Sequence, residues 1–226
     1  VSDASSLFNE SWLAALRTYK AIAVIRAPNL EMGLAMAEAV AKGGIRLIEI
    51  TWNSQQPQEL IAQLRSRLVH CWIGAGTILD AIQLQEAIAC GSQFLFSPYF
   101  NPHLLDIATN RYQVPFVPGV LSPTEIINAW QAGATTVKVF PIQSLGGAKY
   151  IKSLQAPMGH IPLIPTGGIT IDNASEMLAA GAIAVGLSSN LFPPVLLKHH
   201  NWQDITHRTR NLVNLLTVIN NLQTER

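Results

Sequence analysis

Eight short apolar runs, each followed by a turn residue and then a helical pattern, constrain this chain more than any other feature. They lie at 22–26 (IAVIR), 47–52 (LIEITW), 72–78 (WIGAGTI), 94–98 (FLFSP), 115–119 (PFVPG), 136–141 (TVKVFP), 162–167 (PLIPTG) and 182–188 (AIAVGLS). Nearly continuous apolar strands are what a parallel sheet covered on its outer face requires. The segments between them read as helices. Asn29, Asp80, Ser122 and Asp172 stand where N-caps are expected, Pro123 occupies a first helical position, and Gly91, Gly133 and Gly181 follow helix ends. Further helices are expected at about 5–18 and 202–222. Eight strand–helix alternations predict an α/β fold, a (β/α)8 TIM barrel with an N-terminal helix, occupying residues 1–226 as one domain. An open doubly wound sheet is the alternative, but no GxGxxG follows the first strand.

Composition narrows the function classes. Of 226 residues, 49% are hydrophobic and only 13% charged, so a large core or a subunit interface is expected. A formal net charge of +1 without a basic run argues against nucleic acid as a partner. The uncharged stretch 177–197 is long enough to suggest a membrane helix, but its glycines, serines and prolines break it, so no membrane span is expected. No signal peptide is visible, and Cys71 and Cys90 read as two buried free thiols in a reducing cytoplasm. No histidine pair has metal-ligand spacing: His199 and His200 are adjacent in a polar stretch.

Strand alternation places two charges in the barrel interior. In 136–141, Val137 and Val139 share the face that suits packing against outer helices, so Lys138 points inward with Thr136 and Phe140. In 47–51, Ile48 and Ile50 point outward, leaving Leu47, Glu49 and Thr51 inside. An amine enclosed among apolar groups gives up its proton more readily than one in water, and the neutral amine attacks a ketone. A neighbouring carboxylate can then carry protons during cleavage. The competing reading is a buried Glu–Lys ion pair that only fixes strand register, but such pairs stabilise weakly because desolvation opposes the attraction. Loops after strands seven and eight commonly hold phosphate in barrels, and here Gly167, Gly168 and Ser189 occupy them; Gly146 and Gly147 are candidates on the same side. Arg26 and Thr77 are candidates for a substrate carboxylate.

The motifs IEIT, GAGTILD, LFSP, VPG, VKVFP, PTGGI and GLSSNLF occur in order between about residues 21 and 192. Together they resemble the 2-keto-3-deoxy-6-phosphogluconate (KDPG) / 4-hydroxy-2-oxoglutarate (KHG) aldolase family, with VKVFP and PTGGI the most specific pair. The resemblance implies that Lys138 is a Schiff-base lysine and Glu49 a proton-transfer residue. It further implies Thr77 as a pyruvate-carboxylate ligand, Pro98, Phe140 and Thr166 as pocket residues, and Gly167, Gly168 and Ser189 on the phosphate side. It implies a cytoplasmic homotrimer acting without metal or other cofactor on a phosphorylated 2-keto acid. Two positions depart from the family pattern: Asn53 stands where many relatives have a carboxylate-binding arginine, a role Arg26 could assume, and Ser188 replaces the second glycine of the last loop. EITWNS is also similar to the branch acting on 2-keto-3-deoxy-6-phosphogalactonate, whereas Thr166 favours the gluconate branch. A non-catalytic sugar-phosphate-binding barrel is the remaining alternative.

Overall fold

A computed structural model describes residues 2–224 of the chain, with side-chain surroundings for residues 10–217. Its strands are β1 (Ala21–Ile25), β2 (Leu47–Thr51), β3 (Trp72–Gly76), β4 (Leu95–Phe96), β5 (Phe116–Val117), β6 (Gly119–Val120), β7 (Val137–Val139), β8 (Leu163–Pro165) and β9 (Val185–Leu187). Around them run α1 (Ser2–Tyr19), α2 (Leu30–Lys42), α3 (Pro57–Arg67), α4 (Ala81–Ala89), α5 (Pro102–Asp106), α6 (Pro123–Gln131), α7 (Ala148–Met158), α8 (Ile171–Ala179), α9 (Pro194–Lys198) and α10 (Trp202–Thr224).

Every strand pairing is parallel. The strands form a curled six-stranded sheet in the order β5-β4-β3-β2-β1-β9 and a three-stranded sheet in the order β6-β7-β8. The fifth expected strand is therefore two. Phe116 and Val117 pair with β4, Gly119 and Val120 pair with β7, and Pro118, which has no N–H to donate, separates them. Its carbonyl still accepts from the Lys138 amide at 2.9 Å. The other junction is held by a parallel bridge between Thr166 and Gly186 and by the Ile183 amide donating to the Leu163 carbonyl at 3.0 Å.

The alternation read from the sequence divides the core. Ile48, Ile50, Val137 and Val139 belong to the large cluster between sheet and helices. Leu47, Val117 and Ile164 join a second cluster inside the curl, with Trp12, Phe94 and Phe96. Trp12 has no exposed surface; its indole N–H donates to Thr136 Oγ1 at 3.3 Å, and its ring stacks on Phe94 with centroids 4.9 Å apart. Trp72, Phe94 and Thr136 all lie at strand starts, so α1 seals the amino-terminal end of the curl with aromatic bulk.

Asn29 caps α2, Asp80 caps α4 and Ser122 caps α6 through their side chains, as expected. The cap of α8 is Thr170, whose Oγ1 accepts from the Asn173 amide at 3.1 Å in a reciprocal box; Asp172 instead sits in the first turn, where a carboxylate faces the helix N-terminus favourably. Both cysteines are free, as expected, but only Cys71 is buried; Cys90, at the end of α4, is half-buried. Among the described residues, no helix is long and apolar enough to cross a membrane.

Candidate active site

The carboxyl ends of the strands surround a cavity of about 240 Å³. Glu49 and Lys138 are the central residues of β2 and β7 and rise from its floor. Arg26 follows β1, Thr77 follows β3, Pro98 lies just past β4, Phe140 follows β7, Thr166–Gly168 follow β8, and Ser189 follows β9. Ten of the twelve candidate positions read from the sequence line this one cavity, joined by Val24, Thr51, Ile169, Gly186 and Ser188. Gly146 and Gly147 lie outside that lining, at the start of α7. A larger hollow of about 500 Å³ lies between α2 and α10, but its walls are helix surfaces remote from both buried charges.

Glu49 is 1% exposed and Lys138 is 5% exposed. Burial pushes the Glu49 carboxyl well above its ordinary range, while the positive charges of Lys138 and then Arg26 pull the other way; burial wins. Among the described residues the only ion pair within 4.0 Å joins Arg67 to Glu38, so Lys138 and Glu49 share the cavity without pairing. Among the described residues, Glu49 Oε1 has no hydrogen-bond partner. An unmet buried oxygen costs about 1–3 kcal/mol, which a register-fixing ion pair would not leave standing. The Lys138 ammonium position instead lies over two aromatic faces, 5.0 Å from the Phe140 ring centre and 5.8 Å from that of Phe96.

Glycines carve the space these groups need. A Cβ on Gly76 would collide with the Glu49 carboxylate, and one on Gly186 would lie 2.6 Å from Thr166 Oγ1. Gly167 and Gly168 hold consecutive left-handed backbone angles, φ of 88° and 84°. Neither Gly76 nor Thr51 was singled out as a site residue, although the signal for Gly76 existed. Two glycines at alternate positions of a buried strand, Gly74 and Gly76, mark a face approached closely by another group.

A buried amine and a buried, unpaired carboxylate at the carboxyl end of a curled parallel sheet define the site of an enzyme that handles carbonyl compounds. The family model described as KDPG and KHG aldolase matches residues 13–208. The chain belongs to that family, whose members are carbon–carbon lyases. It is 32% identical over 205 residues to the 2-dehydro-3-deoxy-phosphogluconate aldolase of Treponema pallidum, covering 91% of this chain and 97% of that one. The KHG/KDPG aldolase of Escherichia coli K12 is 30% identical over 198 residues, covering 88% and 92%. Among solved structures, the KDPG aldolase of Legionella pneumophila, captured with pyruvate as a covalent carbinolamine, superposes with a TM-score of 0.82 at 31% identity, covering 88% of this chain and 97% of that one.

Gly76→Ala tests the placement of the carboxylate. The added methyl must push Glu49 aside while β3 stays paired, and a displacement near 1 Å at a reacting group costs about 10²-fold in kcat. Steady-state cleavage rates read the loss, with circular dichroism to establish that the fold is kept. Wild-type kcat in the folded variant would show that the Glu49 position does not matter.

Proposed function

We propose that this protein is a class I aldolase that splits KDPG into pyruvate and glyceraldehyde 3-phosphate through a Schiff base on Lys138. The observation that carries the reading is the pair of buried, unpaired groups, Lys138 and Glu49, in one cavity. The neutral Lys138 amine adds to the C2 ketone, and loss of water from the carbinolamine gives an iminium. Glu49 takes the proton from the C4 hydroxyl. The C3–C4 bond breaks, its electron pair is held as the enamine, and the aldehyde leaves. Glu49 returns its proton to C3, and water hydrolyses the resulting iminium to pyruvate and free Lys138.

Thr77 receives the pyruvate carboxylate, Pro98, Phe140 and Thr166 wall the chain of the substrate, and the Gly167–Gly168 turn with Ser189 receives the phosphate. Ser188 also lines the cavity, which fits a last loop that binds through hydroxyls. The same chemistry on KHG, giving pyruvate and glyoxylate, is a second activity favoured by the likeness to the E. coli KHG/KDPG aldolase.

We further propose that the two sheets close into one eight-stranded barrel, supported by the Thr166–Gly186 bridge and by β5 and β6 sharing one strand direction across Pro118. The protein is proposed to be a homotrimer, because Ile82 and Leu79 at the start of α4, Tyr99 bonded to the Leu79 carbonyl, and Leu121 are exposed; a sedimentation mass of a single chain would refute this. Two free thiols and a phosphorylated substrate fit the cytoplasm.

The deciding experiment is a mass spectrum after incubation with pyruvate and borohydride. The expected result is a stable adduct mapped to Lys138, insensitive to EDTA. An unmodified protein would end the proposal.

A further inference from the structure

Arg26 is held in an unusual way for a cation at the mouth of a cavity. Its Nε donates to Asn53 Oδ1 at 3.3 Å, and among the described residues no carboxylate lies within 4.0 Å of it. The turn carrying Asn53 grips the backbone beside Arg26. Ser54 Oγ accepts from the Ala27 amide at 3.0 Å, and the Gln55 amide donates to the Ala27 carbonyl at 3.0 Å. Thr51 Oγ1 lies 3.3 Å from Ser54 Oγ and ties this turn to the cavity wall. On the other side, β1 pairs with β9, and the loop after β9 brings Ser188 and Ser189 into the lining of the same cavity as Arg26.

Asn53 therefore holds the guanidinium through its one inner N–H, and among the described residues nothing bonds the outer fork of two Nη groups on this cavity-lining side chain. A neutral amide aligns a cation without cancelling its charge. An aspartate of the same shape would hold Arg26 as firmly but neutralise it. We propose that Asn53 is a positioning residue that aims Arg26, at full charge, at the anionic group of the substrate farthest from Lys138: the phosphate ester of KDPG, or the second carboxylate of KHG. This rests on the aldolase reading, and it gives the asparagine at this position a purpose of its own.

The test compares Asn53→Ala and Asn53→Asp with the wild type. The Ala variant should raise KM for KDPG several-fold, and the Asp variant by about 10- to 100-fold, through loss of a nearby unscreened charge. In both, kcat should stay within about twofold and the pyruvate concentration that half-saturates borohydride trapping should not move, because pyruvate lacks the distal anion. KHG, with a carboxylate in place of a phosphate dianion, should suffer less than KDPG. Inorganic phosphate binding, measured by calorimetry without turnover, should weaken in the order wild type, Ala, Asp. A purely structural turn predicts the opposite rank, since Asp keeps the bond to Arg26 and Ala loses it. Wild-type KM and phosphate affinity in the Asp variant would overturn the proposal. So would a parallel rise in the pyruvate half-saturation, which would place Arg26 on the pyruvate carboxylate. Failure of the aldolase reading looks different, because the wild type itself would then trap no pyruvate.

Discussion

Lys138→Ala should form no borohydride-stable adduct with pyruvate and should lose cleavage by about 10⁵–10⁶-fold, the scale set by removing a covalent nucleophile. Among the described residues no other lysine lines the cavity, so no neighbouring amine there takes over. Truncation also empties space between the Phe96 and Phe140 rings, and the Ala variant could lose stability for that reason alone. Lys138→Met separates the two effects, because it keeps an unbranched chain of similar length and removes only the amine. Both variants should be inactive, and the Met variant should melt at or above the wild-type temperature, since it no longer buries an ammonium. An adduct that persists in either variant would move the chemistry to another lysine.

Glu49→Gln should lower kcat by about 10²–10⁴-fold and at the same time stabilise the protein near neutral pH. The sign follows from the raised Glu49 carboxyl. Below its ordinary value of 4.5, folded and unfolded chains both carry the proton, and the group contributes nothing to pH dependence. As the pH climbs past 4.5 the unfolded chain ionises first while the folded chain holds its proton, so stability falls until the folded group ionises as well. The melting temperature of the Gln variant should therefore match wild type near pH 4 and exceed it at pH 7–8. Equal melting temperatures at both ends of that range would mean that the carboxylate is well solvated. Full kcat would assign proton transfer to another group.

Much of this was legible from alternation alone. Val137 and Val139 facing the helices force Lys138 inward, and Ile48 and Ile50 do the same for Glu49, because strand periodicity leaves no other choice. Caps at Asn29, Asp80 and Ser122 were legible because each is a local bond within one turn. The sequence reads Asp172 and not Thr170 as the cap because both residue types cap, and only the position of the first helical turn decides between them. The break at Pro118 was visible as a proline inside an apolar run, but its effect on pairing depends on which neighbouring strand needs the missing N–H. Spacing can mark a face that something approaches, as Gly74 and Gly76 do, but it does not name the partner. Nothing in the order of residues says that Asn53 meets Arg26, or that Gly76 makes room for Glu49.

The aromatic seal that α1 places at the strand starts has a kinetic consequence. With Trp12, Phe94 and Phe96 packed at that end, the described opening to Lys138 is the one at the carboxyl ends of the strands. On the proposed reaction the aldehyde fragment lies nearer this exit, and the three-carbon acid, still bonded to the enzyme, lies behind it. Departure is then sequential: the aldehyde first, the acid last, so that pyruvate competes with incoming substrate while the aldehyde alone does not.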